Sequence, residues 1–137
     1  MILWQQRLTL SARSRGYHVI TDEVVKACEE WPEHGLLHIF LQHTSAALCV
    51  NEAADPDVLT DFESMINHIV PERLPFLTHT IEGDDDMPAH IKAALIGTEL
   101  SIPTDAQGLM LGRWQGIYLC EFRNHARARS MILTMHS

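Results

Sequence analysis

A chain of 137 residues with 46% hydrophobic content fits one domain with a real core, and that composition suits neither a disordered nor a fibrous protein. A net charge of −8 at pH 7 argues against a nucleic-acid backbone or an anionic membrane surface as the main partner, although a local basic patch could still hold a small anion. No apolar run approaches the roughly 20 residues that span a bilayer. The opening MILWQQRLTLS lacks the basic-then-apolar pattern of a signal peptide. Cys28, Cys49 and Cys120 are odd in number and form no Cys-x-x-Cys pair, so the expectation is a cytoplasmic protein with buried, reduced thiols.

Residues 4–11 alternate, with Gln6, Leu8 and Leu10 on one face, and read as a first strand. Ser14, Arg15 and Gly16 make a turn into a short strand at 17–20. Thr21 or Asp22 then caps a helix whose apolar face is Val24, Val25, Cys28 and Trp31, stopped by Pro32. The apolar run at 36–41 predicts a buried central strand, with His38 inside it. It leads into Gln42, His43, Thr44, Ser45 and Ala46, where polar groups gather at a strand end. A second apolar piece follows at 48–50. Asp55-Pro56 then starts a helix with Val58, Leu59, Phe62, Met65, Ile66 and Ile69 on one side.

The densest chemistry lies in residues 78–93, THTIEGDDDMPAHIKA, which place His79, Glu82, Asp84, Asp85, Asp86 and His90 within twelve positions. Asp86 reads as an N-cap, Pro88 as part of a first helical turn and Gly97 as the stop. That puts His79 at a strand end, the acidic run in a loop and His90 one turn into a short helix. Strands at 99–103 and 109–111 form a hairpin around Asp105 to Gly108. After Gly112-Arg113-Trp114-Gln115-Gly116 come strands at 117–122 and 131–135, with His125, Arg127 and Arg129 making a locally basic patch between them. Short connections between neighbouring strands favour an α+β domain, with a mainly antiparallel sheet or sandwich packed by helices, over a parallel doubly wound fold.

Gly-x-Ser-x-Gly, phosphate-loop, dinucleotide-binding and His-Glu-x-x-His motifs are all missing. What remains is a set of dispersed histidines, His43, His79 and His90. Three imidazoles with an open position make a catalytic zinc pattern. Glu82, Asp84 and Asp86 could orient those rings or move a proton. Direct carboxylate ligation would favour magnesium or manganese instead. The plainer alternative is a solvated acidic loop beside unrelated histidines. A second, anion-seeking set is Thr44, Ser45 and Arg123, with Arg113 or Lys92, for which the plainer alternative is a Glu121–Arg123 surface pair.

Taken together, LLHIFLQHTSAALCVNE, THTIEGDDDMPAHIKAALIG and LGRWQGIYLCEFR resemble the YjbQ family, also called uncharacterised protein family 0047, over nearly the whole chain. The resemblance implies an α+β fold with an antiparallel sheet, assembled as a homotrimer. It also implies a weak, secondary thiamine-phosphate-synthase activity: an aminopyrimidine methyl pyrophosphate joins a thiazole phosphate and pyrophosphate leaves. Carried over by position, His43, Thr44 and Ser45 match one motif, and His79, Glu82, Gly83, Asp84 and His90 match the next. Trp114, Gln115, Gly116, Glu121 and Arg123 match the last. Arg113 and the segment Asn124-His125-Ala126-Arg127 depart from the family pattern, and both bear on how a phosphate is held.

Two functional readings follow. In the first, a divalent ion, zinc before magnesium or manganese, sits on His43, His79 and His90. There Glu82, Asp84 and Ser45 do the chemistry, and Thr44, Ser45, Trp114, Gln115 and Arg123 hold a small phosphorylated metabolite. In the second, a homotrimer binds a metabolite or anion in the same pocket without chemistry. A structural protein with these residues at a subunit contact is a third class.

Overall fold

Alternating burial along one strand shows how the layers are stacked. In the computed structural model, which describes residues 1–137, β3 (His34–Leu41) buries Leu37, Ile39 and Leu41 and turns Leu36 and Phe40 outward. It lies inside a five-stranded sheet with β1 (Ile2–Leu10), β8 (Arg129–His136), β5 (Glu99–Asp105) and β6 (Gly108–Leu109), in the order β1-β8-β3-β5-β6. A second sheet has the order β2-β7-β4, from β2 (Gly16–Val19), β7 (Gln115–Glu121) and β4 (Ala46–Glu52). Every pairing in both sheets is antiparallel. The fold is therefore α+β, as the short connections predicted.

The inner faces of the two sheets share one core. Leu37, Ile39, Leu41, Ile102, Met131, Leu133 and Met135 of the larger sheet meet Ala46, Leu48, Ile117 and Leu119 of the smaller, with Ile20 and Val24 closing one side. The helices α2 (Pro56–Ile69) and α3 (Asp86–Ile96) cover the outer face of the smaller sheet. There Tyr17, Ala47, Tyr118, Cys120 and Phe122 pack against Ala89 and Ala93, with Leu59, Phe62 and Ile66 half-buried. The smaller sheet is thus buried on both faces, which is why β7 reads as an unbroken apolar run. The larger sheet is covered on one face only, so its strands alternate.

Several local expectations change. The run at 36–41 is central, but only half of it is buried, because no helix of the chain packs on the outer face of its sheet. The first helix, α1 (Thr21–Ala27), stops before Cys28 instead of running to Pro32. Its would-be last turn is drawn out, with the Trp4 indole N–H donating to the Glu30 carbonyl at 2.9 Å. The helix at Asp55-Pro56 starts as expected, with the Asp55 carboxylate accepting from the Asp57 N–H at 2.9 Å. Gly97 ends α3 with φ of +111°, a conformation that favours glycine. No helix is long and apolar enough to cross a membrane.

Candidate functional site

Helical spacing brings the first two groups together. Asp86 and His90 lie four apart on α3, so their side chains share one face. Asp86 is not the N-cap the sequence suggested. It is the first helical residue, Asp85 occupies the cap position in an α conformation, and neither side chain caps the helix. Both carboxylates are instead held by Arg123, just beyond β7. The Arg123 Nε donates to Asp85 Oδ2 at 2.8 Å, Nη1 donates to Asp86 Oδ1, and Nη2 donates to the Glu82 carbonyl at 2.9 Å. The Asn124 N–H adds a bond to Asp85 Oδ2 at 2.9 Å. Three bonds from one guanidinium thus fix the acidic loop against the end of the sheet.

The other Asp86 oxygen faces two imidazoles. His79 Nε2 lies 2.7 Å from Asp86 Oδ2, and His90 Nε2 lies 3.2 Å from the same atom. His79 comes from the loop before α3 rather than from a strand end. One ligand atom from each of His79, Asp86 and His90 lies within 4.8 Å of the others, close enough to surround one ion. The His90 Nδ1 sits 2.8 Å from the Thr44 carbonyl, which can only accept, so Nδ1 carries a proton. His90 Nε2 then turns toward the anionic Asp86 Oδ2, with 3.2 Å between the two atoms. A ring whose Nδ1–H is anchored on a backbone carbonyl while Nε2 points inward is oriented as metal-binding histidines usually are.

Burial alone would raise the carboxyls of Asp85 and Asp86. Hydrogen bonds and neighbouring cations outweigh it, and both are held below the usual carboxylate range: Asp85 by the Asn124 N–H and Arg123, Asp86 by His79, His90 and Arg123. Arg123 is raised despite its own burial, because Asp85 and Asp86 favour its charged form.

His43 does not join this cluster. Its Nε2 accepts from the Ser130 N–H at 2.7 Å, which ties it to β8 and leaves the proton on Nδ1. Burial, and then the charge of Arg129, push its imidazole toward the neutral form. So the structure brings His79 and His90 together and gives the third place to Asp86. The side chain of Asp84 is 58% exposed, lies 3.6 Å from Arg73 and is not part of the cluster. Glu82 lines a cavity near it.

The anion-seeking set also separates. Ser45 Oγ accepts from Arg129 Nη2 at 3.0 Å, and Arg129 is further clamped by Glu121, Nε to Oε1 at 2.7 Å and Nη2 to Oε2 at 2.5 Å. Lys92 is buried and donates to Asn67 Oδ1 at 2.6 Å, so it faces no ligand. Trp114 and Gln115 stand at the opposite end of β7 from Glu121, about 20 Å away along the strand. Gln115 Oε1 accepts from the Gly112 N–H at 2.7 Å, and Arg113 stacks over Trp114 at 4.9 Å. Gly116 is required by close packing, since a Cβ there would meet Ala53 Cβ at 2.6 Å. This motif therefore has a structural explanation within one chain.

Two cavities flank His43. One, of about 780 Å³, runs from His43, Thr44 and His90 over Phe40, Ala93, Ala94 and Gly97 and is mainly apolar. The other, of about 450 Å³, is basic, with Arg123, His125, Arg127 and Arg129 around Ser45 and Glu82. His125, Arg127 and Arg129 stand out in the sequence only as part of a departing segment or a basic stretch. Their approach to His43 depends on where the fold sets the connection from β7 to β8, which no local motif announces. The approach of Asp86 to His90, by contrast, is legible from their helical spacing.

Relatives of known sequence and structure share this framework. The family described as UPF0047 protein YjbQ-like matches residues 6–137. The chain belongs to the YjbQ (UPF0047) family. The UPF0047 protein YjbQ of Escherichia coli O157:H7 is 45% identical over 136 residues, covering 97% of this chain and 98% of that protein. The UPF0047 protein sll1880 of Synechocystis sp. is 38% identical over 130 residues, covering 94% and 88%. Among solved structures, the conserved hypothetical protein TT1486 from Thermus thermophilus superposes with a TM-score of 0.81 at 33% identity, covering 93% of this chain and 97% of that one. A YjbQ/UPF0047 protein from Clostridium acetobutylicum gives 0.79 at 31% identity, covering 94% and 98%. The YjbQ fold is thus shared along essentially the full chain.

Proposed function

We propose that this YjbQ-family protein is a metal-dependent enzyme acting on a small phosphorylated metabolite, with a weak transferase activity of the thiamine-phosphate-synthase type. The observation that carries the proposal is the convergence of His79, Asp86 and His90, with His90 already oriented by the Thr44 carbonyl. Two imidazole nitrogens and one carboxylate oxygen suit zinc better than magnesium, with manganese next. This donor set replaces the three-histidine set, because His43 Nε2 is committed to Ser130.

When bound, the ion supplies charge stabilisation to a leaving pyrophosphate. The chain's own groups do the rest. The two imidazoles and Arg123 keep the Asp86 ligand oxygen anionic, and the Asn124 N–H and Arg123 do the same for Asp85. His43 presents a neutral Nδ1–H between the two cavities, as a donor to substrate. Arg127 offers a cationic contact and His125 a ring nitrogen for a phosphate in the basic cavity, beside the donors that Arg123 has left. Glu82, on the same cavity wall, is the group placed to take a proton, in preference to Asp84. A ring or other apolar part of the metabolite fits the larger cavity beyond His43.

Assembly as a homotrimer is part of the same proposal. Trp114 is exposed at the far end of β7, and a contact with a neighbouring copy would cover it.

The test is to incubate zinc-loaded protein with an aminopyrimidine methyl pyrophosphate and a thiazole phosphate and to follow pyrophosphate release. Turnover that is abolished in His79→Ala, with the fold intact, is expected. Turnover retained after chelation and in that variant would end the metal-enzyme reading. The second reading, a binding protein without chemistry, is favoured by the neutral, non-ligating His43 at the junction of both cavities. Equal ligand affinity with and without chelator, and no product, would select it.

A further inference from the structure

A pair of neighbouring thiols lies under the helices, away from the cluster just described. Cys49 on β4 and Cys120 on β7 face the layer covered by α2 and α3. Their strands are paired, with Cys49 opposite Tyr118 and Cys120 opposite Ala47, so the two cysteines are diagonal neighbours on one face. Their sulfurs are 3.8 Å apart and both thiols are free. Cys120 is fully buried, while Cys49 is partly accessible.

We infer that Cys49 and Cys120 form a reversible disulfide when the protein meets a small hydroperoxide, making the β4–β7 pair an oxidative modification site. Bond formation needs the sulfurs to close from 3.8 Å to about 2.05 Å, and because diagonal neighbours usually stand about 7–8 Å apart at Cα, the two strands must draw together as the side chains rotate. Cys49 is the attacking thiol, because it is the accessible one. The contact with Cys120 also favours its thiolate, against the effect of its own burial. Its sulfur takes the terminal oxygen of the peroxide, giving a sulfenic acid and, from hydrogen peroxide, one water. The Cys120 sulfur then attacks the Cys49 sulfur. The sulfur–oxygen bond breaks, the Cys120 proton passes to the departing hydroxide, and a second water leaves. Two thiols are oxidised by two electrons in total and one peroxide is reduced to two waters.

Cys28 serves as an internal control. Its thiol donates to the Val24 carbonyl at 3.3 Å and burial pushes it up to about 11, so it stays unreactive.

The experiment treats the reduced, folded protein with hydrogen peroxide and then alkylates it under denaturing conditions. Trypsin with a glutamate-specific protease separates Cys28 from Cys49 before mass spectrometry. The expected result is a Cys49–Cys120 linked peptide, lighter than its two parts by two hydrogens, with Cys28 alkylated. Thiols fall from three to one per chain and dithiothreitol restores all three. In Cys120→Ala, dimedone should trap the sulfenic acid on Cys49. Cys49 driven to sulfinic acid without linkage, a disulfide through Cys28 or between chains, or three free thiols after treatment would each overturn the inference.

Discussion

Two charged clusters sit side by side at one end of the smaller sheet and differ in one respect. In the first, Arg129 and Glu121 face each other with paired bonds, Ser45 takes a further guanidinium N–H, and both charged side chains are shielded from water. In the second, Arg123 pairs just as closely with Asp85 and Asp86, but one oxygen of Asp86 is left to two half-exposed imidazoles. The first cluster is closed: each charge has its partner within the protein. The second is closed on the arginine side and open on the histidine side, where two imidazole nitrogens share one carboxylate oxygen. A closed cluster holds the ends of β7 and β8 in place. An open one is where chemistry can be attached.

The comparison can be broken from either side. The largest expected effect is on the closed cluster. Arg129→Ala leaves Glu121 charged, buried and unpaired, and should lower unfolding stability by about 3–5 kcal/mol in a urea titration. A loss under about 1 kcal/mol would mean the pair is not the anchor described.

On the open cluster, His79→Ala and His90→Ala should each lower zinc affinity by about 100-fold or more, since loss of even a supporting partner commonly costs about 10–100-fold. Their fold should persist by circular dichroism, because both rings are half-exposed. His43→Ala should leave zinc affinity within a few-fold of the parent, because its Nε2 is used by Ser130.

Acid sharpens the contrast further. Asp85 and Asp86 have folded pKa values below their ordinary ones, so the stability they contribute is fully present above the ordinary carboxylate range. It is lost as pH falls through the lower, folded values, from about pH 4 downward. The urea midpoint should therefore drop as the pH falls from about 4 downward, and Asp85→Asn should flatten that drop.

The smallest effect is expected at the far end of β7. Trp114→Ala should shift the stability of the single chain by no more than about 0.5 kcal/mol, with zinc affinity unchanged.

What the sequence makes legible follows the range of each interaction. The helix at Asp55-Pro56 and the stop at Gly97 are local events, and both are readable. The Asp86–His90 pair is also local, being one helical turn. The expectation of Asp86 as a cap fails for a tertiary reason: Arg123, 37 positions away, takes one carboxylate oxygen and the histidines take the other. The grouping of His43 with His79 and His90 fails in the same way, because the β8 backbone claims its Nε2. Trp114 and Gln115 join the phosphate set by motif, yet β7 carries them to its opposite end. Strand length separates what the motif joins. The half-exposure of β3 is illegible because an uncovered sheet face is a property of layer packing, not of a strand.

The most direct measurement is zinc binding by calorimetry for the apo protein beside His79→Ala, Asp86→Asn, His90→Ala and His43→Ala. The account predicts one ion per chain in the parent and in His43→Ala, and loss of binding in the other three. Binding that is lost in His43→Ala and retained in Asp86→Asn, or no binding by the parent, would contradict it.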